Sequence, residues 1–95
     1  MTREQRQHNT DIIANALANA ERFEVGETDD LYIRKEDITR EFLALANGYK
    51  SCGGDIYIVQ TYDLLSVRID YMYRFNFLLW AMGQPLMPRI EIREY

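Results

Sequence analysis

The chain has almost none of the residues from which disulfide frameworks and metal sites are built. It is 95 residues long and contains one cysteine, Cys52, and one histidine, His8. A single cysteine excludes an internal disulfide and any multi-cysteine metal site. A Cys–His nucleophilic pair would need the fold to bring Cys52 beside His8, and nothing in the local sequence suggests it. We therefore expect an exposed surface histidine, a non-catalytic protein and no cofactor.

Long apolar runs are also missing. The longest covers six residues, Phe77 to Met82, whereas a membrane-spanning helix needs about 20. The first six residues are polar and lead into no apolar signal core. These absences predict a soluble cytoplasmic protein.

Positive charge is scarce as well. Eleven Lys and Arg face fifteen Asp and Glu, which gives a formal net charge of −4. Such a surface has no long-range attraction for nucleic acid or anionic membranes. Phosphate-binding loops are absent too, since Gly53 and Gly54 follow a helix rather than a strand and match neither glycine-rich pattern.

The most regular pattern that is present lies between Ser66 and Phe77. Apolar residues, β-branched or aromatic, alternate there with polar ones, with Met72 as the one apolar intruder. A period of two predicts a strand that buries one face. Helical spacing also fits 63–82, so a single long helix is the alternative to a strand followed by a short helix.

The other elements are predicted from helical spacing, turn residues and shorter alternating runs. In chain order we predict a helix over 2–23, a loop at 24–30, an extended segment over 31–33, a helix over 35–47 that Gly48 ends, a loop over 49–54, strands over 55–61 and 65–73, a short helix over 74–82 and a strand over 89–95. The first helix is capped by Thr2.

These elements predict one α+β domain over residues 1–95. Two N-terminal helices pack on a small, mainly antiparallel sheet of about three strands, and a short helix precedes the C-terminal strand. The core is expected where the second helix meets the alternating strand, with Phe42, Leu45, Val67, Ile69 and Tyr71 buried together.

Two sets of residues are candidates for binding. Four acids stand within seven positions with no Lys or Arg among them, and two arginines share the polar side of the alternating strand. The predicted partner-binding residues are Glu24, Glu27, Asp29, Asp30, Arg68 and Arg74. A solvated loop, a calcium site and a mimic of nucleic-acid phosphates are the alternatives for the acids, although their spacing misses the calcium-loop pattern. A partner with a basic surface suits them best.

The C-terminal strand predicts self-association. Its charges alternate in sign, so an antiparallel copy would pair Arg with Glu across a two-fold axis. The residues concerned are Arg89, Glu91, Arg93 and Tyr95. A homodimer is the expected product.

The function class follows from what is absent. A short acidic α+β domain without catalytic equipment is typical of a stoichiometric inhibitor or adaptor of a macromolecule, the profile of small viral or mobile-element counter-defence proteins and of toxin-immunity proteins. A regulatory domain that binds nucleic acid through the second helix, or an oligomeric ligand-binding domain, is the alternative.

Cys52 gives the first test. If it is a loop thiol without function, Cys52→Ser leaves the melting temperature and partner binding within experimental error. A large loss of either, measured by thermal denaturation and by a binding assay, would show a buried or reactive thiol instead.

Overall fold

The computed structural model describes residues 1–89, in which three helices lie against a four-stranded antiparallel sheet. The elements are α1 (Arg3–Asn19), β1 (Glu21–Val25), β2 (Thr28–Tyr32), a 3₁₀ turn (Lys35–Asp37), α2 (Arg40–Ser51), β3 (Ile56–Gln60), β4 (Leu65–Asp70) and α3 (Arg74–Ala81). The strand order is β1-β2-β4-β3. The α+β class is confirmed, with four strands in place of about three.

Helix α1 begins as predicted and ends early. Thr2 and Gln5 form a capping box, in which each side chain accepts a hydrogen bond from the other residue's backbone N–H, at 3.1 and 2.9 Å. The predicted helix to residue 23 and the loop at 24–30 are wrong, because β1 and β2 form a hairpin there. Gly26, with φ of 59°, takes the first position of its two-residue turn, where Gly is favoured.

Helix α2 runs one turn past its predicted end and starts later than predicted. Thr39 caps it, with its hydroxyl accepting from the Phe42 N–H at 3.1 Å. Gly48 does not stop the helix but lies inside it. Glycine fits there because the ring of Trp80 packs against the backbone, and a Cβ would come within 3.2 Å of that ring. Gly53, with φ of 84°, is the residue past the C-cap.

The central strand is confirmed, although it ends at Asp70 and not at residue 73. The short helix after it is confirmed, and the single long helix is wrong. Val67 and Ile69 of β4 are 0% and 1% exposed, and Phe42 and Phe77 pack against them from α2 and α3 in one buried cluster. Two predicted core residues differ. Leu45 is only half-buried, at the edge of the cluster. Tyr71 is also half-buried, and its ring contacts two arginines described below instead of the core.

Two hydrogen bonds hold the segment after α3 against that helix. The amide of Asn76, a buried polar side chain, donates to the Met87 carbonyl at 3.1 Å and accepts from the Met87 N–H at 2.7 Å. The predicted strand over 89–95 lies outside the described residues except for Arg89. Within residues 1–89 no helix is both long and apolar enough to cross a bilayer.

The core gives a second test. Ile69→Ala is expected to lower the free energy of unfolding by about 2–5 kcal/mol, since the site is fully enclosed and cannot collapse. Leu64→Ala is the matched control, because Leu64 is 54% exposed and surface truncations change stability by less than about 0.5 kcal/mol. Urea denaturation measures both. Equal losses for the two variants would contradict this assignment of the core face.

Candidate functional site: the open face of the sheet

The helices cover only one face of the sheet. Val67, Ile69 and Ile56 point to the helices, and the residues between them along each strand point the other way. On that second face Phe23 and Tyr57 are each 48% exposed. We call it the open face: in the described part of the chain no helix packs on it.

One cross-strand row crosses the whole open face. The register places Glu21 opposite Tyr32, Tyr32 opposite Arg68 and Arg68 opposite Tyr57, which takes in all four strands. Arg68 therefore stands between two tyrosines in the middle of the sheet. Tyr and Arg are the side chains that most often dominate protein–protein interfaces.

Arg68 is held in place by its neighbours. Its Nη1 donates to Oδ2 of Asp30 at 2.8 Å, and its guanidinium carbon lies 4.3 Å from the centroid of the Tyr57 ring. Asp30 lies directly opposite Asp70, so Arg68 also offsets the repulsion between two carboxylates. A cavity of about 360 Å³ opens beside this group, lined in part by Glu27 and Met72.

The predicted acidic cluster is divided by the hairpin. Because successive strand residues point to opposite faces, Asp30 lies on the open face, while Glu24 and Asp29 lie opposite each other on the helix side. Glu27 occupies the turn between the strands. The four acids thus do not form one continuous patch, and three of them contact an arginine.

The helix-side acids belong to a second cluster centred on Tyr71. Arg22 donates to both carboxylate oxygens of Asp29 at 2.9 Å and contacts Glu24 at 2.7 Å. Its guanidinium carbon lies 3.7 Å from the Tyr71 ring centroid, and that of Arg74 lies 3.9 Å from it. Two guanidinium groups therefore contact the ring of Tyr71 at cation–π distance.

Arg74 belongs to this second cluster, so the prediction that it shares the polar side of the strand with Arg68 is wrong: β4 ends at Asp70 and Arg74 begins α3.

The displaced pKa values have structural causes. The hydrogen bonds from Arg22 hold the pKa of the Asp29 carboxyl below its ordinary value, and the same contact raises the pKa of Arg22. Burial against the aromatic core raises the pKa of Tyr49.

The remaining predicted residues lie elsewhere. Arg89 contacts Asp55 at 2.9 Å, while Glu91, Arg93 and Tyr95 are outside the described residues. His8 is exposed as expected and its Nε2 lies 2.6 Å from a carboxylate oxygen of Glu41, which the sequence spacing did not suggest. Among residues 1–89 no three His, Cys, Asp or Glu side chains are grouped so as to hold a metal ion.

Arg22 and the exposed aromatic side chain of Phe23 were not predicted as site residues. The signal was present in the alternation of charged and apolar residues over 22–25, followed by Gly26 and a second short run that ends at Tyr32. Glycine at the first of two turn positions between such runs is a hairpin pattern. The helical spacing that continued from α1 through residue 23 hid it.

No protein-family model, curated protein or solved structure matches this chain.

The Asp29 contact gives a third test. Because its pKa is lower in the folded than in the unfolded chain, the ion pair stabilises the fold above the ordinary carboxyl pKa of about 3.9 and loses that effect as the pH falls further. Asp29→Asn is therefore expected to be less stable than the natural chain at neutral pH, and the difference should vanish in strong acid. Denaturant titrations at several pH values measure this, with Asp63→Asn in the β3–β4 turn as control. A difference that persists unchanged into strong acid would exclude the ion pair as its cause.

Proposed function

We propose that this protein is a non-catalytic binding module, an inhibitor or adaptor that docks a basic protein partner on the open face. The observation that carries the proposal is the row in which Arg68 stands between Tyr32 and Tyr57, on a sheet face that no helix of residues 1–89 covers. Arg68 is already positioned by Asp30, so little side-chain freedom is lost when a partner covers it.

The charge of the face favours a basic partner. Glu21, Asp30 and Asp70 point to it and Glu27 stands at its rim. The described cations beside them are Arg68 and Arg34, which contacts Glu21 at 3.4 Å, so carboxylates are in excess. An excess of carboxylates speeds encounter with a positive patch, and salt screens the attraction over about 8 Å. The apolar side chains Tyr57 and Val59, 48% and 42% exposed, supply area that stabilises the complex once it has formed.

Nucleic-acid binding through α2 has less support. The helix buries Phe42, Ala46 and Tyr49, and its exposed side mixes Arg40 with Glu41. A helix that binds phosphates needs a consistently basic surface.

The open face gives a fourth test, by capture of partners from a lysate of the source cells on immobilised protein. The double variant Tyr57→Ser with Val59→Ser removes one aromatic and one aliphatic side chain from the face. The double variant Tyr62→Ser with Leu64→Ser removes the same types from the exposed β3–β4 turn and serves as the matched control. We expect a basic protein that the natural chain and the control retain and the open-face variant loses.

The identified partner then allows rates to be measured. Loss of interface anchors costs about 2 kcal/mol or more, so dissociation from the open-face variant should be at least about 30-fold faster. Glu27→Gln should slow association and flatten its salt dependence. A partner that binds the open-face variant as tightly as the natural chain, or capture of nucleic acid alone, would contradict the proposal.

A further inference from the structure

The backbone edge of β1 borders the open face, and the proposed partner contacts do not use its N–H and C=O groups. Within residues 1–89, β1 pairs with β2 alone, and all five of its residues are exposed. An edge strand presents a row of backbone N–H and C=O groups, which proteins usually protect with proline, charged side chains, a bulge or a short strand. β1 contains no proline, and its register with β2 is continuous. Its protection is its shortness and the charges of Glu21, Arg22 and Glu24.

The hairpin determines which backbone groups face outward. Val25 and Thr28 flank the two-residue turn, and the turn's own hydrogen bond joins them. Bonded and non-bonded pairs alternate along an antiparallel ladder, so Phe23 also bonds to β2. The backbone N–H and C=O groups of Arg22 and Glu24 therefore point to the free edge.

We propose that this edge pairs with β1 of a second copy of the chain, antiparallel, about a two-fold axis at Phe23. In this register Arg22 lies opposite Glu24 of the second copy, and Glu24 lies opposite its Arg22. Both residues bring outward-facing backbone groups, so two bonded pairs flank a non-bonded pair of Phe23 residues. The strand's charges, repulsive in most other registers, become complementary in this one.

The side chains on the two faces also match across the axis. Phe23 packs edge-on against Tyr32, with ring centroids 5.3 Å apart and an interplanar angle of 88°. These rings, Val25 and Glu21 line a hollow of about 430 Å³. A two-fold axis perpendicular to the sheet joins the hollows of both copies, so four aromatic rings form one row along an eight-stranded sheet.

The interface between the two copies is small, so we expect the dimer to be weak. Five-residue strands and one row of rings bury less than about 1,200 Å² in total, which is the range of weak, reversible interfaces. The dimer therefore depends on concentration, and it forms without the partner proposed above. Tests on the purified chain alone need no partner, so their failure would leave the proposed function standing.

Disulfide trapping tests the register. Phe23→Cys in a Cys52→Ser background places two thiols across the axis, where Cα atoms of a non-bonded pair lie about 4.5 Å apart, within disulfide range. Val25→Cys in the same background is the matched control, since its counterpart lies four residues along the strand, about 14 Å away. We expect Phe23→Cys to cross-link at least tenfold faster under mild oxidation. Equal rates, or no cross-linked Phe23→Cys, would overturn the proposal.

Sedimentation of the natural chain tests the interface without cysteine. From low micromolar to millimolar concentration the average mass should rise from 11.3 kDa towards twice that value. Glu24→Lys places like charges opposite each other twice per dimer and should weaken association at least tenfold, while Glu27→Lys, the same charge change in the turn, should not. Circular dichroism confirms that both variants fold. A natural chain that stays monomeric at millimolar concentration, or a Glu24→Lys variant that dimerises equally well, would refute pairing through β1.

Discussion

Strand β4 holds the sheet together, because it is hydrogen-bonded to β2 on one side and to β3 on the other. Ile69 lies opposite Leu31 of β2 and Ile56 of β3, so one buried row crosses three strands beneath the helices. Its neighbour Arg68 points the other way and lies between Tyr32 and Tyr57. The period of two thus makes a single strand both the centre of the core and the centre of the candidate site.

The helix layer is narrower than the sheet, so the β1–β2 hairpin needs contacts other than apolar packing against helices. The hairpin of β1 and β2 extends beyond the buried cluster, and the helix side of β1 is stabilised by charge rather than by apolar packing. Arg22 of β1 and Arg74 of α3 both contact the ring of Tyr71, and Asp29 holds Arg22 in position through paired hydrogen bonds. Cation–π and carboxylate contacts of this kind need no thick apolar layer.

The sequence predicted the elements whose patterns are local, and it missed those decided by tertiary contact. Strand β4, helix α3 and the cap at Thr2 follow from alternation, spacing and a capping pair. Gly48 was predicted to end a helix because glycine often follows a helix C-cap. Its actual role depends on Trp80, 32 positions along the chain, whose ring packs where a side chain at position 48 would lie. The acids looked unpaired because their partners, Arg22 and Arg68, stand outside the counted window, and Arg68 is 38 positions from Asp30.

The strand order also has a consequence for the kinetics of folding. β1–β2 and β3–β4 are each hairpins closed by short turns, and such hairpins form in about 1–10 μs. Of the three ladders in the described chain, only that between β2 and β4 joins strands far apart in sequence, and closing that long loop loses entropy before any bond forms. We expect this docking step to limit the folding rate, with α2 already formed within the loop it closes.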